Sequence, residues 1–261
     1  MTDIAGDWPP PSPGAAPLPR VIAAQAGLEL RILLRNGEQL TLTLIIPLLL
    51  LAAFGHEALV SVGPGSRIDF VVPGILALAV LSTAFTSQAI ATGFERRYGV
   101  LKRLGASPLS RGGLIAAKTL TVLAVEALQV ILVVALGAVL GWQPRTSAVG
   151  VVSAVLLILA GTAAFSGLAL LLAGTLRAEA TLAAANLLYL IMLGIGGVLF
   201  PLTKFPAAVR PELRLLPAGA LADGLRASLG HGGGFPAMDL LVLVIWAAVG
   251  IAIAARTFRW E

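Results

Sequence analysis

Long apolar runs separated by short charged segments set the pattern of this chain. Runs of about 20 apolar residues recur from residue 40 onward, each long enough to cross a bilayer core of about 30 Å as a helix. Six spans are predicted, at about 40–60, 71–94, 115–140, 147–173, 182–200 and 236–255. Pro47 lies inside the first and predicts a bend there. Residues 20–38 follow a different period. At about 100° per residue, Ile22, Ala23, Ala26, Leu30, Leu33 and Leu34 share one face, and Arg20, Arg31, Arg35 and Glu38 fall on another. That predicts a helix lying in the membrane interface, the alternative being an extension of the next span. Residues 1–19 are Pro-rich and aperiodic and predict a disordered tail. No apolar segment follows a basic start, so no cleavable signal peptide is expected. The domain division is therefore a tail at 1–19 and one six-helix unit at 20–261. Between the fifth and sixth spans, residues 201–235 predict two short helices, about 206–215 and 218–229, and a Gly-rich turn, GHGGG.

Composition turns this pattern into a class. Hydrophobic residues make up 58% of the 261-residue chain and charged residues 12%, the latter about half the share of a soluble domain. The mean hydropathy is +0.95. A water-soluble chain of this size could not bury so much apolar surface, so the fold class is all-α and polytopic in a membrane. The basic pI near 10.4 then says little about nucleic acid, because membrane proteins concentrate Lys and Arg in cytoplasmic loops. If the N-terminus is inside, the inside segments hold twelve Lys and Arg residues and the outside segments six. This predicts that both termini and residues 94–118 are cytoplasmic.

Candidate chemistry is sparse. Without cysteine, disulfides, thiolate metal sites and thiol catalysis are excluded. With only His56 and His231, no histidine metal site is expected. No Gly-Lys pair exists, so there is no Walker A loop to cradle phosphates. No catalytic triad or metal-holding carboxylate cluster is evident. The chain does not read as an enzyme, and no catalytic, cofactor or metal residues are assigned to it.

The segment FERRYGVLKRLGASPLSRGGLIAAK, residues 94–118, interrupts two of the most apolar runs with six basic residues. Tyr98, Leu101 and Leu104 are spaced to line one side of a short helix, with Arg96, Arg97, Lys102 and Arg103 around it. The helix is predicted to end near Gly105. A new one is predicted to start at Pro108 behind Ser107 as its N-cap. An apolar ridge with basic flanks suits docking to a soluble protein; a plain positive-inside anchor is the alternative. Within the spans, Glu126 and Gln129 lie one turn apart, as do Asn186 and Tyr189. An ionised carboxylate at the bilayer centre costs about 2.5–3.5 kcal/mol on insertion scales. Glu126 should therefore face protein or water. All four are candidates for a translocation path or for bonds between helices. The spacing Gly137-x-x-x-Gly141 carries little weight in a chain so rich in Gly and Ala.

Two blocks resemble a known family. Glu95, Gly99, Leu101, Leu104, Ser107, Pro108, Leu109 and Lys118 resemble the segment after the second helix of ABC-2 type transporter permeases. Phe200, Pro201, Phe205, Pro206, Leu216, Pro217, Asp223 and Arg226 are similar to that family's segment after the fifth helix. The resemblance runs from about residue 20 to the C-terminus. It implies a six-helix export permease that pairs with a second permease, the same chain or another. Separate ATP-binding cassette subunits would dock from the cytoplasm and bind the ATP and Mg. It places their contact at the amphipathic helix and at Glu95, Arg96, Arg97, Tyr98, Gly99, Leu101, Leu104, Ser107 and Pro108. It makes Phe200, Pro201, Phe205, Pro206, Pro217, Asp223 and Arg226 part of a re-entrant extracellular gate; an ordinary long loop is the alternative. Arg97 and Val100 depart from the acidic residue and the Thr or Ser that the family often carries there. Fifteen Arg against three Lys, with abundant Ala and Gly, suggests a GC-rich bacterial genome and hence a bacterial cytoplasmic membrane. The sparse polar lining points to amphipathic or apolar cargo. Two other classes stay open. One is an ion- or proton-coupled transporter using Glu126, against which no internal repeat is seen. The other is a membrane scaffold.

Overall fold

The computed structural model describes residues 16–56, 67–144, 146–230 and 233–257. All regular structure among them is helical. The predicted tail lies outside the described residues as far as 15, and His56, Arg111, His231 and the end of the chain also lack a described side chain.

Helix α1 (Leu18–Arg35) starts two residues earlier than expected, with Pro19 in its first turn, where a missing N–H costs nothing. It does not lie free of the rest. Ile22, Ala26, Leu30 and Leu33 are half-buried as the pattern predicted, but Ala23 and Leu34 are exposed, and the polar Gln25 and Glu29 share the packed face. Helix α2 (Gly37–His56) holds Pro47 in its interior. Its described apolar stretch is Thr43–Gly55, about 20 Å at 1.5 Å per residue.

The centre of the protein is one continuous helix, Arg67–Arg97. It comprises α3 (Arg67–Val80), a π-helical segment (Leu81–Ser87) and α4 (Gln88–Arg97). It is 83% buried over its most apolar window, and Phe85 meets Phe165 at its middle, ring centroids 6.4 Å apart. After it come α5 (Val100–Gly105), α6 (Arg111–Val139), α7 (Ala148–Thr175) and α8 (Ala178–Ile195). Two short helices, α9 (Arg210–Arg214) and α10 (Pro217–Leu229), precede α11 (Ala237–Thr257). Among the described residues five helices are long and apolar enough to cross a membrane: Arg67–Arg97, α6, α7, α8 and α11.

Two expectations change, and one spacing that carried little weight has another role. Helix α6 is capped by Ser110, whose Oγ accepts from Gly113 N at 3.0 Å, and not by Ser107 with Pro108 as first residue. Ser107 instead closes a turn on the helix before it. Its Oγ donates to Leu104 O at 2.6 Å and accepts from Leu109 N at 3.3 Å, so its capping capacity is spent locally. The fifth span stops at Ile195, not near 200, because Gly197 takes φ +67° and reverses the chain. And Gly137-x-x-x-Gly141 is no helix seam. Gly141 (φ +90°) closes α6 in a Schellman turn, with Trp142 N donating to Gly137 O and Gly141 N to Ala138 O. The close helix contact lies elsewhere. Gly167 on α7 faces Gly250 on α11, and a Cβ on Gly167 would sit 2.8 Å from Ile251 N.

Candidate functional site

The α4–α5 junction is built by one glycine. Gly99 takes φ +70°, which a side chain would strain, and so ends α4 and turns the chain into α5. The predicted ridge of Tyr98, Leu101 and Leu104 is therefore not one face of one helix. Tyr98 is 66% exposed and stacks on Phe94 at 6.1 Å. Leu101 is fully buried in a small cluster with Leu109, Leu114, Ile115, Leu170 and Ala254, and Leu104 packs at its edge. Val100, Lys102, Arg103, Ser107 and Pro108 point outward.

Of the two basic residues before this elbow, Arg96 faces inward and Arg97 outward. Arg96 donates to the carbonyls of Ala173, at 2.9 Å, and Leu176, which a helix end leaves without internal partners. Arg97 pairs with Glu179 on α8, and both side chains are more than half exposed. Glu95 turns toward the centre. Its Oε2 accepts from Lys118 Nζ at 2.7 Å, and the same ammonium lies 3.4 Å from Glu29 on α1. The Lys118 side chain is 4% exposed, Glu29 15% and Glu95 29%. Two carboxylates thus share one buried cation.

The triad sits at one end of a cleft of about 140 Å³ between α1, α4 and α6. Each helix offers one face to it: Glu29, Ile32 and Leu33 from α1, Gln88, Ala91, Thr92 and Glu95 from α4, Lys118, Thr121 and Val122 from α6. Thr121 Oγ1 donates to Ala26 O at 3.2 Å and ties α1 to α6.

Deeper, the polar side chains pair between helices. Thr83 Oγ1 donates to Gln129 Oε1 at 3.0 Å, and Gln129 Nε2 donates to Thr43 O at 3.0 Å. Ser166 Oγ donates to Gln88 Oε1 at 2.8 Å. Glu126 is 1% exposed; Thr162 Oγ1 donates to its Oε2, and its Oε1 has no partner. Glu126 and Gln129 therefore bond different helices and not each other. Asn186 is exposed and donates to Leu182 O within its own helix at 3.0 Å. Tyr189 packs against the main core. The structure does not bring these four into one lining.

At the opposite end, α10 is clamped to α3. Arg226 Nη2 donates to Val198 O at 2.8 Å and its Nε to Phe70 O at 3.3 Å. Its guanidinium stands 3.7 Å over the Phe70 ring, and its Nη1 lies 3.5 Å from Asp223. Burial pulls the Arg226 pKa down to about 10, with Asp223 opposing, so it remains a cation at neutral pH. Gly74 leaves room for this clamp, since a Cβ there would collide with Val198 O and lie 2.8 Å from Arg226 Nη2. Phe200 and Pro206 are exposed, Phe205 is half-buried, and Pro201 and Pro217 are buried. The clamp unites Asp223 and Arg226 but not the Phe-Pro pairs. Sequence reasoning missed Glu29 and Lys118 as partners of Glu95. The signal was there, since Lys118 stands beyond the loop, inside an apolar run, and needs a carboxylate.

A bundle with five helices long and apolar enough to cross a membrane among its described residues, tied together by buried interhelical polar pairs, is that of a multi-pass membrane protein. The sequence model of the ABC-2 type transporter family matches residues 26–230, and the chain belongs to that family. No curated relative matches it. Its family's membrane domain is a transport subunit and not itself an ATPase.

Proposed function

We propose that the chain is the permease subunit of an ATP-driven exporter, with ATP and Mg bound by separate cassette subunits and a second permease beside it. In this reading α2 is the first of six spans, and both termini and α5 lie in the cytoplasm of a bacterial cell. ATP-driven closure of the cassette subunits pushes on residues 95–108 and tilts the bundle between inward and outward states. The cargo is amphipathic or apolar, and α9 and α10 form the outer gate.

The observation that supports it is the α4–α5 elbow. Tyr98, Lys102, Arg103, Ser107 and Pro108 project from the bundle, while Leu101 roots α5 in a packed cluster behind them. A rigid, basic, projecting element of this kind can transmit a push. Purification of the full chain from its native membrane, with ATPase assay of the eluate, tests the reading. An ATP-binding subunit should co-elute with Mg-dependent turnover, and Tyr98→Asp with Arg103→Glu should release it while the permease stays monodisperse. Recovery of the permease alone, with no ATPase, overturns it. The buried Glu126 favours one other reading, a proton-coupled carrier; uptake driven by a pH gradient without ATP in proteoliposomes would select it.

A further inference from the structure

The export reading assigns no ligand to the cleft between α1, α4 and α6. Its charge is unbalanced. Glu29 and Glu95 share the single ammonium of Lys118, leaving one net negative charge. Lys118 is almost wholly covered, both carboxylate residues line the cleft, and Glu29 Oε1 also accepts from Gln25 Nε2 at 2.8 Å. Acidic residues alone would prove nothing here, since a salt-bridged cluster can be purely structural. A second observation points to a ligand. Gln88 and Thr92 also line the cleft and are 6% and 0% exposed, and neither Gln88 Nε2 nor Thr92 Oγ1 has a hydrogen-bond partner. Buried polar atoms without partners cost about 1–3 kcal/mol each. Gln88 is held in place for this, because Ser166 Oγ occupies its other terminal atom at 2.8 Å.

The arrangement dictates a chemistry. Gln88 lies seven residues before Glu95 on the same face of α4, hence about 10 Å from it along the helix axis. Ala91 from α4, Leu33 from α1 and Val122 from α6 supply apolar wall between them, beside the polar Asn36, Thr83, Ser87 and Thr121. At about 140 Å³ the space is comparable to a cavity of about 150 Å³ that admits benzene. It fits a head group and the first part of a body. An anion is repelled by the uncompensated carboxylate.

We infer that this cleft binds an amphipathic amine: a cationic ammonium head at Glu29 and Glu95, an apolar body against Leu33, Ala91 and Val122, and a hydrogen-bond acceptor oxygen reaching Gln88. The inference concerns binding alone and stands whether or not the chain exports its ligand.

The test uses the full chain in phosphatidylcholine nanodiscs and three photoreactive probes with one alkyl chain, ending in a primary amine, an alcohol or a carboxylate. Labelled peptides are mapped by mass spectrometry across probe concentrations. The amine should label α1 and α4 around the cleft at a concentration about tenfold below the alcohol, the ratio expected when one charge-assisted hydrogen bond is gained. Glu95→Gln should remove most of that advantage. Ala91→Leu, which fills the cleft without touching the triad, should abolish labelling there by all three probes. An amine carrying a mid-chain ether oxygen should bind more tightly than the plain amine, and Gln88→Leu should erase only that difference. Equal labelling by amine and alcohol overturns the inference, as does labelling that survives Ala91→Leu. Loss of amine labelling when phosphatidylethanolamine is added to the nanodisc also overturns it, assigning the cleft to a membrane lipid.

Discussion

Replacing Lys118 by Met removes one cation and keeps the side chain's length, and its consequence follows from the geometry of the triad. Lys118 Nζ lies 2.7 Å from Glu95 and 3.4 Å from Glu29. At an effective dielectric near 20, the gross attraction is about 6 kcal/mol for the closer contact and about 5 kcal/mol for the other. Desolvating three ions costs several kcal/mol apiece, so the intact triad contributes little net stability over an apolar one. Removing only the cation is a different perturbation. Both attractions vanish and two carboxylates stay where they were. Breaking a buried pair in this way costs about 3–5 kcal/mol. Because Glu95 is 29% exposed and Glu29 15%, water can reach both, which places Lys118→Met near about 3 kcal/mol at the low end of that range. For a domain of this size that is a fall in melting temperature of about 6–12 °C.

The decisive measurement is the double variant. Glu95→Gln in the Lys118→Met background removes the stranded charge, so the pair should be at least about 1.5 kcal/mol less destabilised than the sum of the singles. Thiol-reactive dyes cannot report unfolding in a chain without cysteine. Tryptophan fluorescence, with Trp142 buried beside α6 and Trp246 hydrogen-bonded to Leu215 O at 2.8 Å, and survival of a monodisperse size-exclusion peak after heating can. Additive effects, or a Lys118→Met protein as stable as wild type, would refute the claim that Lys118 holds two carboxylates.

Three further outcomes are expected. Gly167→Leu should leave no monodisperse protein, because even a Cβ would stand 2.8 Å from the α11 backbone at Ile251, whereas Gly137→Ala, which meets only Val72 and Trp142 side chains at 3.1 and 3.3 Å, should cost under about 1 kcal/mol; thermal survival separates them. Arg226→Gln should lower stability by about 1.5–3 kcal/mol through its charge-assisted bonds to Val198 and Phe70, and Arg226→Lys, which cannot make the forked contact, should recover only part. Leu101→Asp should destabilise the isolated permease by more than about 3 kcal/mol, since Leu101 is fully buried, while Tyr98→Asp should leave its stability within about 0.5 kcal/mol and act only on recovery of a cassette subunit.

What the sequence disclosed depended on whether the signal was local. Five of the six predicted spans were legible because 20 apolar residues in a row have few alternatives. Their ends were less so where two signals competed. Ser107-Pro108 carries a helix-start pattern, yet Ser110, three residues on, supplies the cap; only the turn formed by Ser107 with Leu104 and Leu109 decides between them. GVLF at 197–200 is apolar and reads as helix, but the backbone reverses at Gly197. The π segment has no punctuation in LSTAFTS that could announce it. Counting charges does not give side-chain direction. Arg96 and Glu95 were counted with a cytoplasmic segment, yet on the last turn of α4 they face the bundle, one capping α7 and the other meeting Lys118. Pairing by sequence spacing failed likewise at Glu126 and Gln129. Three residues apart on α6, they differ by about 60° around the helix, enough for Thr162 on α7 to take one and Thr83 and Thr43 to take the other.

These pairings constrain where cargo can run in the export reading. The central helix is 83% buried within one chain, against 17% for α8 and 22% for α11. Several buried polar side chains between the helices are also paired. Thr83 holds Gln129, Ser166 holds Gln88, and Thr162 holds Glu126. A path through the middle of a single chain must break these bonds in a medium with no water to replace them, at several kcal/mol for each unsatisfied group. A path along an exposed face breaks none. On α8 the uncovered surface is Leu182, Leu187, Leu190 and Ile191, with Asn186 among them. Its amide bonds only its own helix at Leu182 O, so it keeps capacity for a further partner. Of the four residues singled out from the sequence, the one least enclosed is therefore best placed for cargo. The most enclosed, Glu126, is held where it ties α6 to α7.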